Sequence, residues 1–209
     1  MSRAITLQEG LSKLGLDLPQ ATHEKLLAYL ALVRKWNKIY NLTAVRDEDK
    51  MLTHHLLDSM AVVPYVKDAA AILDVGSGAG LPGIPLALAL PGTEVTLLDS
   101  NQKKTTFLRQ AKMQLALTNV TVVCERVERY QQKQLFKAIT SRALAELRRR
   151  LPDTTLLPVP VRPEPDRRRP MRTLFSCAFA LLLCACASAQ QPINRPASIF
   201  CITILLNSD

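Results

Sequence analysis

Apolar positions recur along the first 145 residues with two different periods. Leu26, Leu27, Leu30 and Val33 repeat at helical spacing, which predicts a helix from Ala21 or Thr22 to about Tyr40. A second helical pattern runs from about Glu48 to Tyr65 and carries Leu52, Leu56, Leu57, Met60 and Val63. The period then shortens. Ala70–Asp74, Glu94–Asp99, Val120–Cys124 and Lys137–Ser141 are short apolar runs that read as strands. Between them, Ile84–Leu90 and Lys103–Leu117 read as helices, the second with Phe107, Leu108, Ala111 and Leu115 together. Helices first and strand–helix alternation afterwards predict an α/β chain with a doubly wound parallel sheet.

The pattern stops near residue 145, and composition changes with it. Residues 1–145 hold 11 Lys and 7 Arg, whereas residues 146–209 hold 9 Arg and no Lys. The second part also lacks Gly, His, Tyr and Trp, and it carries eight of the thirteen prolines and four of the five cysteines. Three segments follow: a helical one over 1–66, the sheet over 67–145, and an aberrant Pro/Arg-rich and apolar tail over 146–209. Proline removes donors and restricts its neighbours, so PVPVRPEPDRRRP (158–170) is expected to be extended and outside any helix or ladder. MRTLFSCAFALLLCACASAQQ, from 171, has the grammar of a secretory signal but begins far from the N-terminus. Its apolar run Thr173–Ala189, 17 residues, is at the short limit for a membrane span. A change of coding register, by out-of-frame translation or fusion, is favoured over a membrane anchor.

Charge narrows the class of partner. The formal net charge is +9 and the pI about 9.6, which fits a polyanion, nucleic acid before an anionic membrane. The competing reading is a protein that is merely basic. Met1 to Leu18 is mixed in polarity and does not read as a signal peptide, and Cys124 is the single cysteine before residue 146. Both suit a cytoplasmic chain without disulfides.

The chemistry gathers in AILDVGSGAGLPGIPLA (71–87), where four of the seven glycines stand at positions 76, 78, 80 and 83. Strand, glycine turn and helix in that order let a ligand approach the backbone and meet helix N–H groups. Gly78, Gly80 and Gly83 fit the dinucleotide fingerprint. Asp74, Gly76, Gly78 and Gly80 fit a D-x-G-x-G-x-G pattern that resembles motif I of S-adenosylmethionine-dependent methyltransferases. Both kinds of binder place an acid at the end of the second strand for ribose hydroxyls, and Asp99 fits. Pro82 and Pro85 disfavour a helix starting directly at Gly80, which argues against the dinucleotide register.

KWNKIYNLTAVRD (35–47), HHLLDSMAVVPYV (54–66), the glycine stretch, LLDSNQKKTTFLRQ and ITSRALA (139–145) occur in this order. Together they resemble the bacterial 16S ribosomal RNA guanine-N7 methyltransferase family, also called glucose-inhibited division protein B, over about residues 1–145. The resemblance implies a Rossmann-like class I methyltransferase sheet, here apparently truncated. It implies S-adenosylmethionine as cofactor and 16S rRNA or the small ribosomal subunit as partner. It places Gly76 and Leu81 along the cofactor, Asp99 at its ribose, Val127 and Glu128 on the adenine side, and Arg142 at the cofactor or active site. Asp74 either approaches the methionine amine or holds the glycine loop. Guanine N7 has a lone pair and no proton, so no general base and no catalytic side chain is assigned. The family's further strands find no match after Ala145. A sheet stopped there would expose the fourth strand's edge and an apolar face, with poor stability and little activity. The alternatives are an inactive RNA-binding or membrane-attached fragment and an NAD-dependent oxidoreductase.

Three other clusters invite a function. His54, His55 and Asp58 could suggest a metal, but adjacent helical histidines diverge by about 100°, so no metal is expected. Trp36 and Tyr40, spaced i,i+4, read as core packing ahead of base stacking. Arg34, Lys35, Lys38 and Arg46, and likewise Lys103, Lys104, Arg109 and Lys112, could bind phosphate or simply form solvated faces.

Overall fold

The computed structural model describes residues 3–131, 135–142, 157–158 and 202–205. The chain divides into one unit of residues 1–159 with 199–209 and another of 160–198, and every described residue lies in the first. The apolar run Thr173–Ala189 and the Pro/Arg-rich stretch beyond Pro158 lie outside the described residues.

Two helices open the chain: α1 (Arg3–Lys13), which the apolar pattern did not single out, and α2 (Gln20–Tyr40). Leu7 and Leu11 bury the inner side of α1, and Leu26, Tyr29, Leu30 and Val33 that of α2. The helix expected from Glu48 to Tyr65 is instead broken. It comprises α3 (Glu48–Met51), a wide π turn at Leu52–Leu57, α4 (Asp58–Met60) and α5 (Val63–Val66). Pro64, in the first turn of α5, lacks the N–H a continuous helix would need, so the helix restarts there.

The sheet begins with β1 (Ala71–Val75), followed by α6 (Gly83–Ala89), β2 (Glu94–Asp99), α7 (Gln102–Gln114), β3 (Val120–Cys124) and β4 (Ala138–Ser141). These four strands are parallel, as expected, with β1 central: Asp74 lies opposite Leu97 of β2 and Thr140 of β4. All five residues of β1 are buried, as in a strand covered on both faces. Ile72, Val95 and Leu97 face the helices with Phe107 and Leu108, while Ala71, Leu73, Val75, Leu98, Phe136 and Ile139 form a smaller cluster.

Two expectations fail at the far side of the sheet. It does not stop at β4: β6 (Ile202–Leu205) pairs antiparallel with β4, and β5 (Leu157–Pro158) pairs antiparallel with β6. The strand order is β3-β2-β1-β4-β6-β5. Pro158, expected outside any ladder, lies opposite Ile202. Its strand is the outermost, where a missing donor is tolerated. No helix among the described residues is long and apolar enough to cross a membrane.

Candidate active site

The chain moves from β1 outward through β2 to β3, then returns to place β4 on the other side of β1. The C-terminal ends of β1 and β4 therefore flank the switch point, where open α/β sheets form their ligand crevice. The glycine loop leaves β1 there, and Arg142 follows β4.

The carbonyl of Leu98 accepts from Gly76 N at 2.8 Å and Ser77 N at 3.2 Å, so β2 holds the loop from one side. Gly76 and Gly78 take φ of 69° and 57°, a region that L side chains enter at a cost. A Cβ on Gly76 would meet nothing within 4 Å, and on Gly78 only the Gly76 carbonyl at 3.7 Å, so this part of the loop faces open space. The other two glycines serve packing. A Cβ on Gly80 would press on Ile84 and Leu108, and one on Gly83 would strike Leu97 and approach Asp74 Oδ2 to 2.7 Å. Leu81 is buried in the main core. The stretch thus divides into an open half and a buried half.

Asp74 lies beneath the loop, fully buried. Its Oδ2 accepts from Gly83 N at 3.2 Å and its Oδ1 from Thr140 Oγ1 at 3.0 Å, while its carbonyl accepts from Ser77 Oγ at 2.8 Å. The carboxylate thereby ties α6 and β4 to β1. Burial pushes its pKa up to about 6, against the hydrogen bonds and the positive charge of Arg142. Of the two roles foreseen for Asp74, this geometry supplies the loop-holding one.

Asp99 ends β2 with its Oδ2 accepting from Gly78 N at 2.9 Å and its Oδ1 from Asn101 N at 2.8 Å. Each oxygen keeps a further lone pair for hydroxyl donors. Asn101 in turn caps α7, accepting from Lys103 N and Lys104 N. Glu125 N donates to the Asp99 carbonyl at 3.2 Å, which brings the turn after β3 beside this acid. Val127 packs half-buried on the smaller cluster, and Glu128 is exposed in the same turn.

Arg142 is held by the broken helix. Its Nη2 donates to the His54 carbonyl at 3.4 Å and to Ser59 Oγ at 3.3 Å, and lies 3.6 Å from Asp58 Oδ2. Its Nη1 lies 3.4 Å from His55 Nδ1. A guanidinium only donates, so Nδ1 is the acceptor and the His55 proton sits on Nε2, 2.9 Å from Thr43 Oγ1. Burial first, then the Arg142 charge, lowers the His55 pKa to about 4. The π turn presents the His54 and His55 carbonyls to this side chain, and π turns are frequent at functional sites. Arg142 Nε is buried and has no hydrogen-bond partner among the described residues. The guanidinium occupies the place where a metal on His55 and Asp58 would sit.

Sequence reasoning missed several supports. The Tyr29 hydroxyl donates to the Ala79 carbonyl at 2.7 Å, and burial pushes its pKa up, so it remains a donor. Tyr29 shares the apolar face of α2 with Leu26, Leu30 and Val33, so the pattern reads it as core. Thr140 and Ser59 give no local signal. Trp36 stacks on Tyr40 with ring centroids 5.3 Å apart and lies 5.7 Å from Phe107, so it packs as expected, while Tyr40 is exposed.

The family described as rRNA small subunit methyltransferase G matches residues 22–157, from α2 past Arg142 and beyond the break at 145. Ribosomal RNA small subunit methyltransferase G of Chromobacterium violaceum is 55% identical over 141 residues, 68% of either chain. The protein of the same name from Neisseria meningitidis is 52% identical over 147 residues, 70% of either chain. That of Methylobacillus flagellatus is 54% identical over 141 residues, again 68% of either chain. The matched span includes the glycine loop, Asp99 and Arg142, and the chain belongs to the rRNA small subunit methyltransferase G family.

Proposed function

We propose that this chain transfers a methyl group from S-adenosylmethionine to guanine N7 of 16S ribosomal RNA, in the cytoplasm. One observation carries the reading. Gly76 and Gly78 turn a bare backbone toward open space at the switch point, with Asp99 fixed against Gly78 N. That cradle fits a nucleoside cofactor. Gly76 and Gly78 would lie along it, Asp99 would receive its ribose hydroxyls, and Val127 with Glu128 would border the base. Gly80 and Leu81 would act from behind, through packing.

When bound, S-adenosylmethionine supplies an electrophilic methyl group on a sulfonium. The chain's own work is positional. Guanine N7 offers a lone pair and holds no proton, so no side chain has to remove one. What remains is to align the purine with the methyl donor and to exclude water. Arg142, which follows β4, is clamped by the π turn and α4 through His54, His55, Asp58 and Ser59. Asp74 and Tyr29 keep the loop in shape.

Calorimetry with S-adenosylhomocysteine tests the cofactor, with Gly76→Arg as control. Binding to the wild type and its loss in the variant are expected. Binding of NAD instead would favour the oxidoreductase alternative. Tritiated methyl transfer to small subunits from a strain lacking this modification tests the substrate. Label that appears elsewhere than guanine N7 would overturn the assignment.

A further inference from the structure

One helix reaches both strands that flank the switch point. Tyr29 of α2 donates to the Ala79 carbonyl at 2.7 Å and so holds the glycine loop that leaves β1. Asn37, further along the same helix, starts a second line of contacts. It is a buried residue whose Oδ1 accepts from Thr43 N at 2.8 Å, which fixes the turn after the helix. Asn41 makes that turn by ending α2 in the left-handed region at φ 49°. Thr43 Oγ1 then takes two N–H groups, from Val45 at 3.2 Å and from His55 Nε2 at 2.9 Å, one for each lone pair. His55 is buried, and its Nδ1 is left facing Arg142 Nη1 at 3.4 Å.

His55 meets the guanidinium on two edges. Its carbonyl lies 3.5 Å from Nη2 and also accepts from Ser59 Oγ. A hydroxyl that donates to this carbonyl can only accept from Arg142, and Ser59 Oγ lies 3.3 Å from Nη2. One condition therefore orients the whole set: the His55 proton sits on Nε2. A proton on Nδ1 would turn two donors toward each other at Arg142. The Arg142 charge in turn reaches Asp74 and Tyr29, where it opposes the rise that burial causes in both pKa values. The two lines that start on α2 thus converge. Tyr29 and Asn37 stand about 12 Å apart along the helix axis. A packing role alone would need the shape of these side chains, but no particular tautomer at 55 and no hydroxyl at 43.

We propose that Thr43 and His55 are positioning residues for methyl transfer, linking Arg142 to α2 so that the chain leaving β4 keeps its place against the glycine loop. The inference rests on the rRNA methyltransferase reading.

The test combines ¹⁵N NMR of the full chain with single-turnover methyl transfer to small subunits that lack the modification. The wild-type His55 ring should show a protonated Nε2 and a bare Nδ1, and the opposite tautomer would overturn the proposal without any variant. The two Arg142 Nη groups, assigned with Arg142→Lys, give separate signals while the guanidinium is held and one averaged signal when it rotates. Thr43→Val removes the hydroxyl at constant shape. His55→Asn keeps an acceptor at the place of Nδ1 but is too short to reach Thr43. Each should merge the Arg142 signals and slow transfer about tenfold or more, while S-adenosylhomocysteine affinity changes by less than about threefold. Thr43→Ser, which keeps the hydroxyl, should restore separate signals and most of the rate. Thr43→Val added to His55→Asn should slow transfer no further, because both break the same link. Separate Arg142 signals in both single variants, or rate losses that multiply in the double variant, would overturn the link. Merged signals with an unchanged rate would overturn its part in methyl transfer. A wild type that shows the expected signals and binds S-adenosylhomocysteine, but transfers no methyl group to RNA, would overturn the rRNA reading and this proposal with it.

Discussion

Asp74 and His55 are both buried, and burial moves their titrations in opposite directions for stability. The Asp74 pKa, raised to about 6, means that the folded chain holds this proton more tightly than the unfolded one. Above pH 6 the ionised carboxylate is carried at a cost, and that cost is relieved as pH falls from about 6 toward 4. His55, lowered to about 4, does the reverse. Its neutral form belongs to the fold, so its contribution is full above about pH 6.5 and is lost as pH falls toward 4. Asp74→Asn separates the two. An amide oxygen still accepts from Gly83 N, and the amide N–H₂ can donate to Thr140 Oγ1 once that hydroxyl turns. Urea unfolding should show the variant gaining on the wild type at pH 8 and losing that advantage at pH 5. A difference independent of pH would mean that the Asp74 carboxyl does not titrate in this window.

Among the elements, the glycine loop and the π turn each divide into parts with separate measurable roles. Gly83→Ala places a methyl against Leu97 and Asp74, and should cost about 1–3 kcal/mol of stability. Gly76→Ala has room, so its cost is the left-handed backbone alone, about 1–2 kcal/mol, and its larger effect should fall on S-adenosylhomocysteine affinity. Equal loss of cofactor affinity in the two variants at matched stability would refute this division. In the π turn, Arg142→Gln removes the charge that helps lower the His55 pKa. An NMR titration should place the His55 midpoint above 4 yet still below 6.5, because burial remains. Much of this region was legible in the sequence. Asp74, Gly76, Gly78 and Asp99 come together because strand, turn and strand lie close along the chain. Tyr29, Thr140 and the Arg142 clamp were not legible, since their partners lie 50 to 88 residues away. Gly80 and Leu81 carried the motif but turn inward, a distinction that only packing makes.

At the scale of the whole molecule, the first four strands follow from local pattern, and the last two do not. Ile202–Leu205 is an Ile-Thr-Ile-Leu run, suited to a strand, but its partner β4 ends some sixty residues earlier, across a stretch whose composition argues against a sheet. Sequence therefore predicted an open edge at β4, whereas the backbone pairs Ala138 with Leu205, Ile139 with Ile204, Thr140 with Thr203 and Ser141 with Ile202. The consequence reaches the active site. Thr140 braces Asp74 and Arg142 follows directly on β4, so whatever steadies β4 steadies one wall of the crevice. Deleting residues 199–209 should leave the unpaired edge as a template for aggregation and loosen that wall. Thermal unfolding with light scattering should show a lower melting temperature and earlier aggregation than in the full chain. S-adenosylhomocysteine binding, measured below that transition, should weaken in parallel. A deletion variant that melts at the wild-type temperature, stays monodisperse and binds with unchanged affinity would show that β6 contributes neither to the sheet nor to the site.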